Sequence, residues 1–244
     1  MNKEGAGVHV KAENIVVLTG AGISAESGLK TFRDNDGLWE GHRVEDVATP
    51  EAFRRSPATV QRFYNMRRAQ LQNGRVAVNA AHTALAQFEQ QHRGQFTLIT
   101  QNVDDLHRRA GSVKVLPMHG ELLTALCQSC AATVDWLDDI DEESRCPRCG
   151  ARGGLRPNIV WFGEMPYFMD VIEQALLQCD LFVSIGTSGA VYPAAGFQQL
   201  AQQSGATTVE LNLQPSDTAS LFDSSDYGPA TQTVPAFFDL RVWQ

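Results

Sequence analysis

The sequence lacks any long apolar run and is short of positive charge. No stretch approaches the ~20 apolar residues that a membrane-spanning helix needs, and residues 1–13 lack the apolar core of a signal peptide. Twenty Lys and Arg face 28 Asp and Glu, which gives a net charge of −8. Acidic chains bind phosphate backbones and anionic membranes poorly. We therefore expect a cytoplasmic protein with a loose leader over 1–13 that binds neither membranes nor nucleic acid directly.

The sequence also lacks internal repeats and low-complexity tracts. Its 244 residues are 43% hydrophobic and only 20% charged, which excludes a globally disordered chain and a coiled coil. A chain of this length can bury about 70% of its surface. The composition therefore predicts one sizeable core with, at most, a small additional module.

Short apolar runs alternate with helical patterns along the chain. Uncharged strands separated by helices are typical of a parallel sheet covered on both faces, which predicts an α/β fold. The predicted strands are 15–19, 96–100, 181–185 and 208–212, and the predicted helices are 57–71, 80–91, 169–178 and 194–204.

Each predicted strand runs into a polar or glycine-rich loop, and open α/β sheets bind ligands at the carboxyl ends of their strands. The first loop contains Gly20-x-Gly22, typical of a dinucleotide site: Gly20 permits a tight turn and Gly22 lets the backbone approach a pyrophosphate. The acidic residue that usually holds the ribose about 20 positions later is not convincingly present. Two interpretations stay open: a dinucleotide in an unusual pose, or a turn without a ligand.

Four of the five cysteines form two Cys-x-x-Cys pairs, Cys127 with Cys130 and Cys146 with Cys149, separated by fifteen residues. This spacing predicts a closed, structural four-thiolate zinc site; a redox dithiol is the alternative. Gly150 suits the turn of the second pair. Cys179 stands alone and is predicted to be a small buried apolar residue.

His119 lies just before the cysteine segment and is a candidate general base, because an imidazole titrates near neutral pH. A structural role is the alternative. His82 and His107 lie on helical patterns and are interpreted as packing or hydrogen-bonding residues. Tyr64 and Arg67 share a helix face and could clamp a carboxylate, although such a pair is more often a solvated face.

The motifs occur in an order that resembles the sirtuins, from about Val16 to Phe238. They are Gly20 to Ser24, Thr31 to Arg33, Gln101 to Asp104, His119-Gly120, the two cysteine pairs, Gly186 to Ser188 and Asn212. The sequence looks closest to the class III branch and its bacterial CobB-type members. The resemblance implies a Rossmann-like NAD domain within residues 14–244, with a small zinc module inserted at about 120–156.

The resemblance also implies the site residues. His119 would be catalytic, and the four cysteines would bind one zinc ion. The implied NAD residues are Gly20, Ala21, Gly22, Ile23, Ser24, Phe32, Arg33, Gln101, Asn102, Val103, Asp104, Gly186, Thr187, Ser188, Asn212, Leu213, Gln214 and Ala230. Tyr64 and Arg67 would bind the acyl carboxylate, while Val160, Trp161 and Phe162 would form a strand that pairs with the substrate backbone.

The implied activity is removal of succinyl, malonyl and acetyl groups from lysines of acylated proteins. NAD would be consumed, yielding nicotinamide and 2′-O-acyl-ADP-ribose, with His119 accepting a proton from the ribose hydroxyls. The alternatives are an enzyme that is mainly a deacetylase or a mono-ADP-ribosyltransferase, and a non-catalytic NAD- and zinc-binding regulatory module.

Overall fold

The computed structural model describes residues 12–29, 38–39, 42–241 and 243. The strands are β1 (Asn14–Thr19), β2 (Leu38–Trp39), β3 (His42–Arg43), β4 (Gln95–Thr100), β5 (Val115–Pro117), β6 (Gly120–Cys127), β7 (Thr133–Asp135), β8 (Leu155–Ile159), β9 (Leu181–Ile185), β10 (Thr207–Asn212) and β11 (Ser224–Tyr227). The α-helices are α1 (Val44–Val47), α2 (Pro50–Arg55), α3 (Pro57–Gln72), α4 (Ala80–Gln91), α5 (Leu106–Arg109), α6 (Met169–Gln178), α7 (Phe197–Gln203) and α8 (Ala230–Phe237).

A six-stranded parallel sheet forms the centre of the molecule. Its order is β11-β10-β9-β1-β4-β5. Numbered along the chain within this sheet, the strands follow the 3-2-1-4-5-6 arrangement of a Rossmann fold, with the reversal between β1 and β9. The α/β, Rossmann-like prediction is confirmed. Ligands bind where the strand order reverses, so the loops after β1 and β9 are the place to look for a site.

The central strands β1, β4 and β9 are mainly apolar on both faces because helices cover both. Val17, Leu98 and Val183 belong to a core cluster with residues of α4 and α8. Val16, Ile99 and Phe182 face the opposite way, into a cluster with α6 and α7. Successive strand residues point to opposite faces, so uninterrupted runs of Val, Ile and Leu are what a doubly covered sheet requires.

The predicted helices form, with one difference. Asn79 caps α4, its side chain accepting hydrogen bonds from the backbone N–H groups of Ala81 and His82. Ser56 precedes Pro57 at the start of α3 but makes no side-chain capping bond. The segment predicted as a single helix over 194–204 begins as a 3₁₀ turn, Ala194–Gly196, and becomes α-helical only at Phe197.

A small antiparallel sheet, β7-β6-β8, lies between β5 and α6 in the chain and carries the four paired cysteines. A third apolar cluster joins this module to the helices before it: Val60, Phe63 and Leu71 of α3 pack with Leu122 of β6 and Ile159 of β8. The fold is therefore a large parallel-sheet domain with a small module inserted, as predicted.

Among the residues described, we find no helix with both the length and the apolar character needed to cross a bilayer.

Candidate functional site

The loops after β1 and β9 interlock through their backbones. The N–H of Gly20 donates to Ile185 O and that of Gly22 to Gly186 O, each at 2.9 Å. A Cβ atom on Gly22 would lie 2.7 Å from Gly186 Cα, and Gly186 has φ of +63°. Only residues without a side chain fit this crossing. It brings two of the predicted cofactor loops into direct contact.

The first loop continues into a 3₁₀ turn, Ala21–Ser27, in which Ser24 is buried. Ser24 Oγ donates to Asp104 Oδ2 at 3.0 Å and accepts from Asn102 Nδ2 at 3.2 Å. Asn102 Nδ2 also donates to Gly20 O at 3.1 Å. The loop after β4 is thereby fastened to the loop after β1. Ile23, by contrast, is fully buried in the core, which leaves only its backbone to face a ligand.

Asp104 is a half-buried carboxyl group with a perturbed proton affinity. Burial raises its pKa to about 6, although hydrogen bonds from the Leu106 N–H and from Ser24 oppose the rise. The group is mostly ionised at neutral pH and titrates just below it. A charge that switches this close to neutrality is typical of functional sites.

His119 follows β5 and lies beside the end of β4. Its Nδ1 is 3.1 Å from Gln101 O. A carbonyl oxygen can only accept, so Nδ1 carries the hydrogen and Nε2 is left as the basic nitrogen. Burial lowers the pKa of His119, while the bond to Gln101 acts in the opposite direction. The ring is therefore neutral at pH 7, which is the state a general base requires.

The predicted adenosine-side residues lie around the ends of β9 and β10. Asn212 Nδ2 donates to Thr187 O at 2.7 Å, and the Gly228 N–H donates to Asn212 O at 2.9 Å. Ala230 is the first residue of α8, next in the chain to this contact. Gln101, Thr187 and Gly189 line one crevice, so the nicotinamide-side and adenosine-side loops meet. Leu213 and Gln214 are exposed beside it.

Tyr64 and Arg67 lie on α3, but they are not equally accessible. Tyr64 is fully buried; its hydroxyl oxygen accepts from Trp161 Nε1 at 2.9 Å, and burial raises its pKa far above the usual range. Arg67 is half-buried, with its guanidinium carbon 5.1 Å from the centre of the Phe63 ring. Arg68 is buried, and its Nε donates to Leu122 O at 3.1 Å, a contact that stabilises the fold.

The segment Val160, Trp161 and Phe162, which the resemblance implies as a substrate-pairing strand, forms no regular strand within the chain, and its pairing with a substrate backbone stays a prediction. Strand β8 ends at Ile159, and the segment turns instead. Its three backbone N–H groups donate to His119 O, to Glu164 Oε2 and to Ala48 O, at 2.9, 2.9 and 3.0 Å respectively. All three N–H donors are used within the chain, so a substrate strand would pair with the carbonyl oxygens of this segment. Trp161 is also 2% exposed, so its side chain belongs to the core.

Arg156 and Glu164 stabilise this turn. The sequence analysis did not predict that these two residues pair. Two guanidinium nitrogens of Arg156 donate to the two Glu164 oxygens at 2.7 Å each. The guanidinium carbon also lies 3.7 Å from the centre of the Trp161 ring. The available signal was an arginine directly after an apolar residue and before Pro157, since an arginine buried in such a segment needs a partner.

The four cysteine sulfurs lie within 4.8 Å of one another. Cys127 and Cys149 are 3.8 Å apart at their sulfurs, and Cys130 and Cys146 are 3.9 Å apart. A regular tetrahedron with Zn–S bonds of about 2.3 Å has sulfur–sulfur distances of about 3.8 Å. The donor set therefore fits a zinc ion and fills its four positions, which leaves none for a reacting water.

The two cysteine turns have the same geometry but a different residue at one position. Ala131 has φ of +57°, and its N–H donates to Cys127 O at 2.8 Å. Gly150 occupies the matching place with φ of +76° and donates to Cys146 O at 2.8 Å. The glycine adopts this left-handed conformation without strain, whereas the alanine does not.

The predictions that His82 and His107 pack or form hydrogen bonds and that Cys179 is buried are confirmed. His82 and His107 are buried, with ring centres 5.0 Å apart, and burial lowers their pKa values to about 4 and about 3. His107 Nε2 is 2.9 Å from Thr19 Oγ1. Cys179 is buried in the core. Phe32 and Arg33, predicted at the cofactor loop, lie outside the described residues.

Comparison with known proteins agrees with this geometry. The model of the family described as Sir2 family matches residues 20–193. A Bdellovibrio bacteriovorus protein named NAD-dependent protein deacylase is 57% identical over 225 residues, which are 92% of this chain and 95% of that protein. A solved Sir2 homolog–NAD complex is 36% identical with a TM-score of 0.85, covering 95% of this chain and 90% of its own. A Sir2–p53 peptide–NAD⁺ structure is 27% identical with a TM-score of 0.77, covering 94% of each chain. The chain therefore belongs to the Sir2 family, the sirtuins that its ordered motifs resemble.

Proposed function

We propose that this Sir2 family member is an NAD-dependent protein-lysine deacylase that removes succinyl, malonyl and acetyl groups and forms nicotinamide and 2′-O-acyl-ADP-ribose. The supporting observation is the bond from His119 Nδ1 to Gln101 O, which leaves a neutral imidazole beside the cofactor loops. The deacylase name of the 57% identical relative supports the coarser activity.

NAD, when bound, supplies an electrophilic ribose carbon that the acyl oxygen can attack as nicotinamide leaves. His119 then accepts a proton from a ribose hydroxyl at Nε2. Its burial keeps the ring neutral beforehand, and the Gln101 carbonyl stabilises the cation that forms by accepting from Nδ1. The chain thus provides a base whose orientation is fixed before substrate arrives.

The glycine-rich crossing would hold the pyrophosphate, because Gly20, Gly22 and the start of the 3₁₀ turn present backbone rather than side chains there. Asn102 and Asp104 would face the nicotinamide ribose, both being fastened to Ser24. The remaining proposed NAD residues are Ala21, Ile23, Phe32, Arg33, Gln101, Val103, Gly186, Thr187, Ser188, Asn212, Leu213, Gln214 and Ala230.

Arg67 would pair with the carboxylate of a succinyl or malonyl group. A guanidinium and a carboxylate form a strong charge-assisted contact, whereas an acetyl group offers no such partner. Tyr64 would donate to the same carboxylate once substrate binding exposes its hydroxyl, which is fully buried and accepts from Trp161 Nε1 in the free protein. Acylated-lysine proteins are the proposed partners, which agrees with the peptide in the Sir2–p53 structure.

The four cysteines would hold one zinc ion. Because four thiolates fill every position on the metal, the zinc would be structural rather than catalytic. Its binding would contribute to the folding free energy of the module.

The decisive experiment is mass spectrometry of the products after incubation with NAD and a succinyl-lysine or acetyl-lysine peptide. We expect the peptide with an unmodified lysine, nicotinamide and 2′-O-acyl-ADP-ribose. ADP-ribose attached to protein would instead indicate a transferase. His119→Tyr should abolish formation of the deacylated peptide and of 2′-O-acyl-ADP-ribose, because His119 acts after nicotinamide leaves. Absence of nicotinamide release from the unaltered protein would favour the non-catalytic alternative.

The acyl preference is tested with Arg67→Met. Desuccinylation should fall at least tenfold while deacetylation is retained, because a charge-assisted pair contributes about 1.5–3 kcal/mol. Arg62→Met is the matched control, since Arg62 is an exposed arginine on the same helix. Equal loss of both activities in Arg67→Met would reject the clamp.

A further inference from the structure

Helix α3 carries a stripe of long polar side chains beside its apolar face. The stripe consists of Gln61, Asn65, Arg68 and Gln72, spaced by four, three and four residues. This spacing places all four on one side of a helix. A polar stripe on a surface helix normally faces water, but Gln61 and Arg68 are buried.

Each member of the stripe bonds to the backbone of the cysteine-bearing module. Gln61 Nε2 donates to Leu155 O at 2.9 Å, Arg68 Nε to Leu122 O at 3.1 Å, and Gln72 Nε2 to Leu137 O at 2.8 Å. Side chains of α3 therefore hold the module by hydrogen bonds to its main-chain oxygens.

Asn65 makes the most specific of these contacts. Its Nδ2 donates to Ile140 O at 3.0 Å, and its Oδ1 accepts from the Ile140 N–H at 2.9 Å. The amide thus pairs with both backbone groups of one residue, as a neighbouring strand would. Arg68 Nη1 also donates to Asn65 Oδ1 at 2.8 Å, which fixes the orientation of the amide.

Ile140 connects this contact to the cysteine cluster. It is fully buried in a small apolar core with Cys127 and Cys146, two of the four clustered cysteines. The segment around it has no regular secondary structure. Its position therefore depends on the cysteine core on one side and on Asn65 on the other.

Arg67 lies on the other side of the same helix. Two residues correspond to a rotation of about 200°, so Arg67 faces away from the module that Asn65 grips. A helix held firmly on one side keeps the side chains of its other side in place. A shift of α3 about this contact would move Arg67 and leave the loops of the parallel sheet where they are.

We propose that Asn65 is a positioning residue for acyl selection, which holds α3 against the module at Ile140 so that Arg67 stays in place for an acyl carboxylate. The proposal rests on the proposed function, because it acts through the Arg67 clamp.

The test is a double-mutant cycle of Asn65→Ala and Arg67→Met, measured with succinyl and acetyl versions of one peptide. We expect Asn65→Ala to raise the KM for the succinyl peptide about fivefold, the loss that follows when a hydrogen-bonded pair is removed. The kcat for the succinyl peptide should stay within about twofold of its value in the unaltered protein. The KM for the acetyl peptide and the KM for NAD should also stay within about twofold. In the Arg67→Met background the same change should have almost no further effect, because the two residues act in series.

Gln72→Ala is the matched control, because Gln72 bonds to the same module from an exposed position farther along the helix. It should leave the ratio of succinyl to acetyl activity unchanged. Melting temperatures report on folding. If Asn65→Ala does not fold, Asn65→Asp carries the test, because it keeps the acceptor for the Ile140 N–H but loses the donor to Ile140 O.

The outcomes separate this proposal from the proposed function. A lost succinyl preference in Arg67→Met, with an unchanged preference in the Asn65 variant, overturns the positioning role and leaves the clamp standing. Additive effects in the double variant also overturn it. An unchanged preference in Arg67→Met rejects the clamp and the positioning role with it.

Discussion

The large sheet and the cysteine module are stabilised in different ways. The sheet lies between apolar clusters of sixteen and twelve buried residues, drawn from strands and helices on both faces. The cluster inside the module has five buried residues: Ala125, Cys127, Ile140, Cys146 and Leu155. Two of these five belong to the cysteine cluster. The sheet is therefore held by burial of apolar surface, whereas the module depends on its sulfurs and on its contacts with α3.

This difference shows how one chain can combine a rigid cofactor edge with a module too small to fold by burial alone. Domains with so few apolar residues need a metal or a disulfide to fold independently. The division also predicts which perturbations act on one region and leave the other intact.

The largest effect should come from removing the metal that the cysteines are proposed to bind. Structural zinc contributes about 10–16 kcal/mol in small zinc peptides, so the module should unfold without it. Hydrogen exchange after chelation should rise across β6, β7 and β8, while β1, β4 and β9 stay protected. Uniform exchange across both regions would show that the two are not energetically separate.

The next effect concerns the glycine crossing in the large domain. Gly22→Ala places a Cβ atom 2.7 Å from Gly186 Cα, and this overlap forces the two loops apart. Overpacking of this kind costs about 1–3 kcal/mol, so the dissociation constant for NAD should rise between about fivefold and a hundredfold. Calorimetry measures the affinity, and metal content should not change. Gly196→Ala is the control, because an added Cβ there meets nothing nearer than Tyr192 Cε1 at 3.9 Å.

Acid should weaken the large domain through its buried histidines. Burial holds the pKa values of His82 and His107 at about 4 and about 3, below the 6.5 of an exposed histidine. Their contribution to stability is complete above pH 6.5 and is lost as the pH falls, by about 1.4 kcal/mol per pH unit for each ring. Asp104, with its pKa raised to about 6, acts in the opposite sense between pH 6 and 4. The three groups together should leave a slope of about 1.4 kcal/mol per unit.

Denaturant titrations between pH 6 and 4 measure this slope. His107→Gln removes one of these histidine contributions and should lower the slope by about 1.4 kcal/mol per pH unit. His42→Gln is the control, because His42 is exposed. A slope that His107→Gln does not change would place the acid sensitivity elsewhere.

The smallest expected effect is on the stability of the module, when the residue with positive φ in either cysteine turn is replaced. Ala131→Gly should stabilise the module by about 0.5–1 kcal/mol, because glycine adopts a positive φ without strain. Gly150→Ala should destabilise it by a similar amount. The rate of metal loss to a chelator measures both, and equal rates in the two variants would contradict the strain argument.

The sequence predicted four of the six strands of the large sheet, β1, β4, β9 and β10, because these strands are rich in apolar and β-branched residues. The edge strands were missed, because β11 is polar and largely exposed and β5 has only three residues. Runs such as Ile15 to Leu18 are apolar throughout because helices cover both sheet faces, and polar loops follow at the carboxyl edge. The paired cysteines were equally predictable, since their spacing is that of a metal-binding turn.

The substrate side was harder to predict, because its geometry depends on contacts between distant residues. Val160 to Phe162 has the composition of a strand, yet the buried Arg156–Glu164 pair turns the chain there. Arg68 adjoins Arg67 in the sequence, and only the bond from its Nε to Leu122 O shows that it stabilises the fold. The burial of Tyr64 beneath Trp161 likewise depends on tertiary packing.

The position of β1 in the centre of its sheet has a consequence for biosynthesis. β1 pairs with β4 on one side and with β9, which begins at Leu181, on the other. A ribosome adding about 5–20 residues per second needs roughly 10–30 s to travel from β1 to β9. During that interval the backbone N–H and C=O groups on the β9 side of β1 have no partner strand, and such unpaired edges invite aggregation. The contiguous cysteine module can close within that interval, so the inserted part of the chain is complete before the domain that surrounds it.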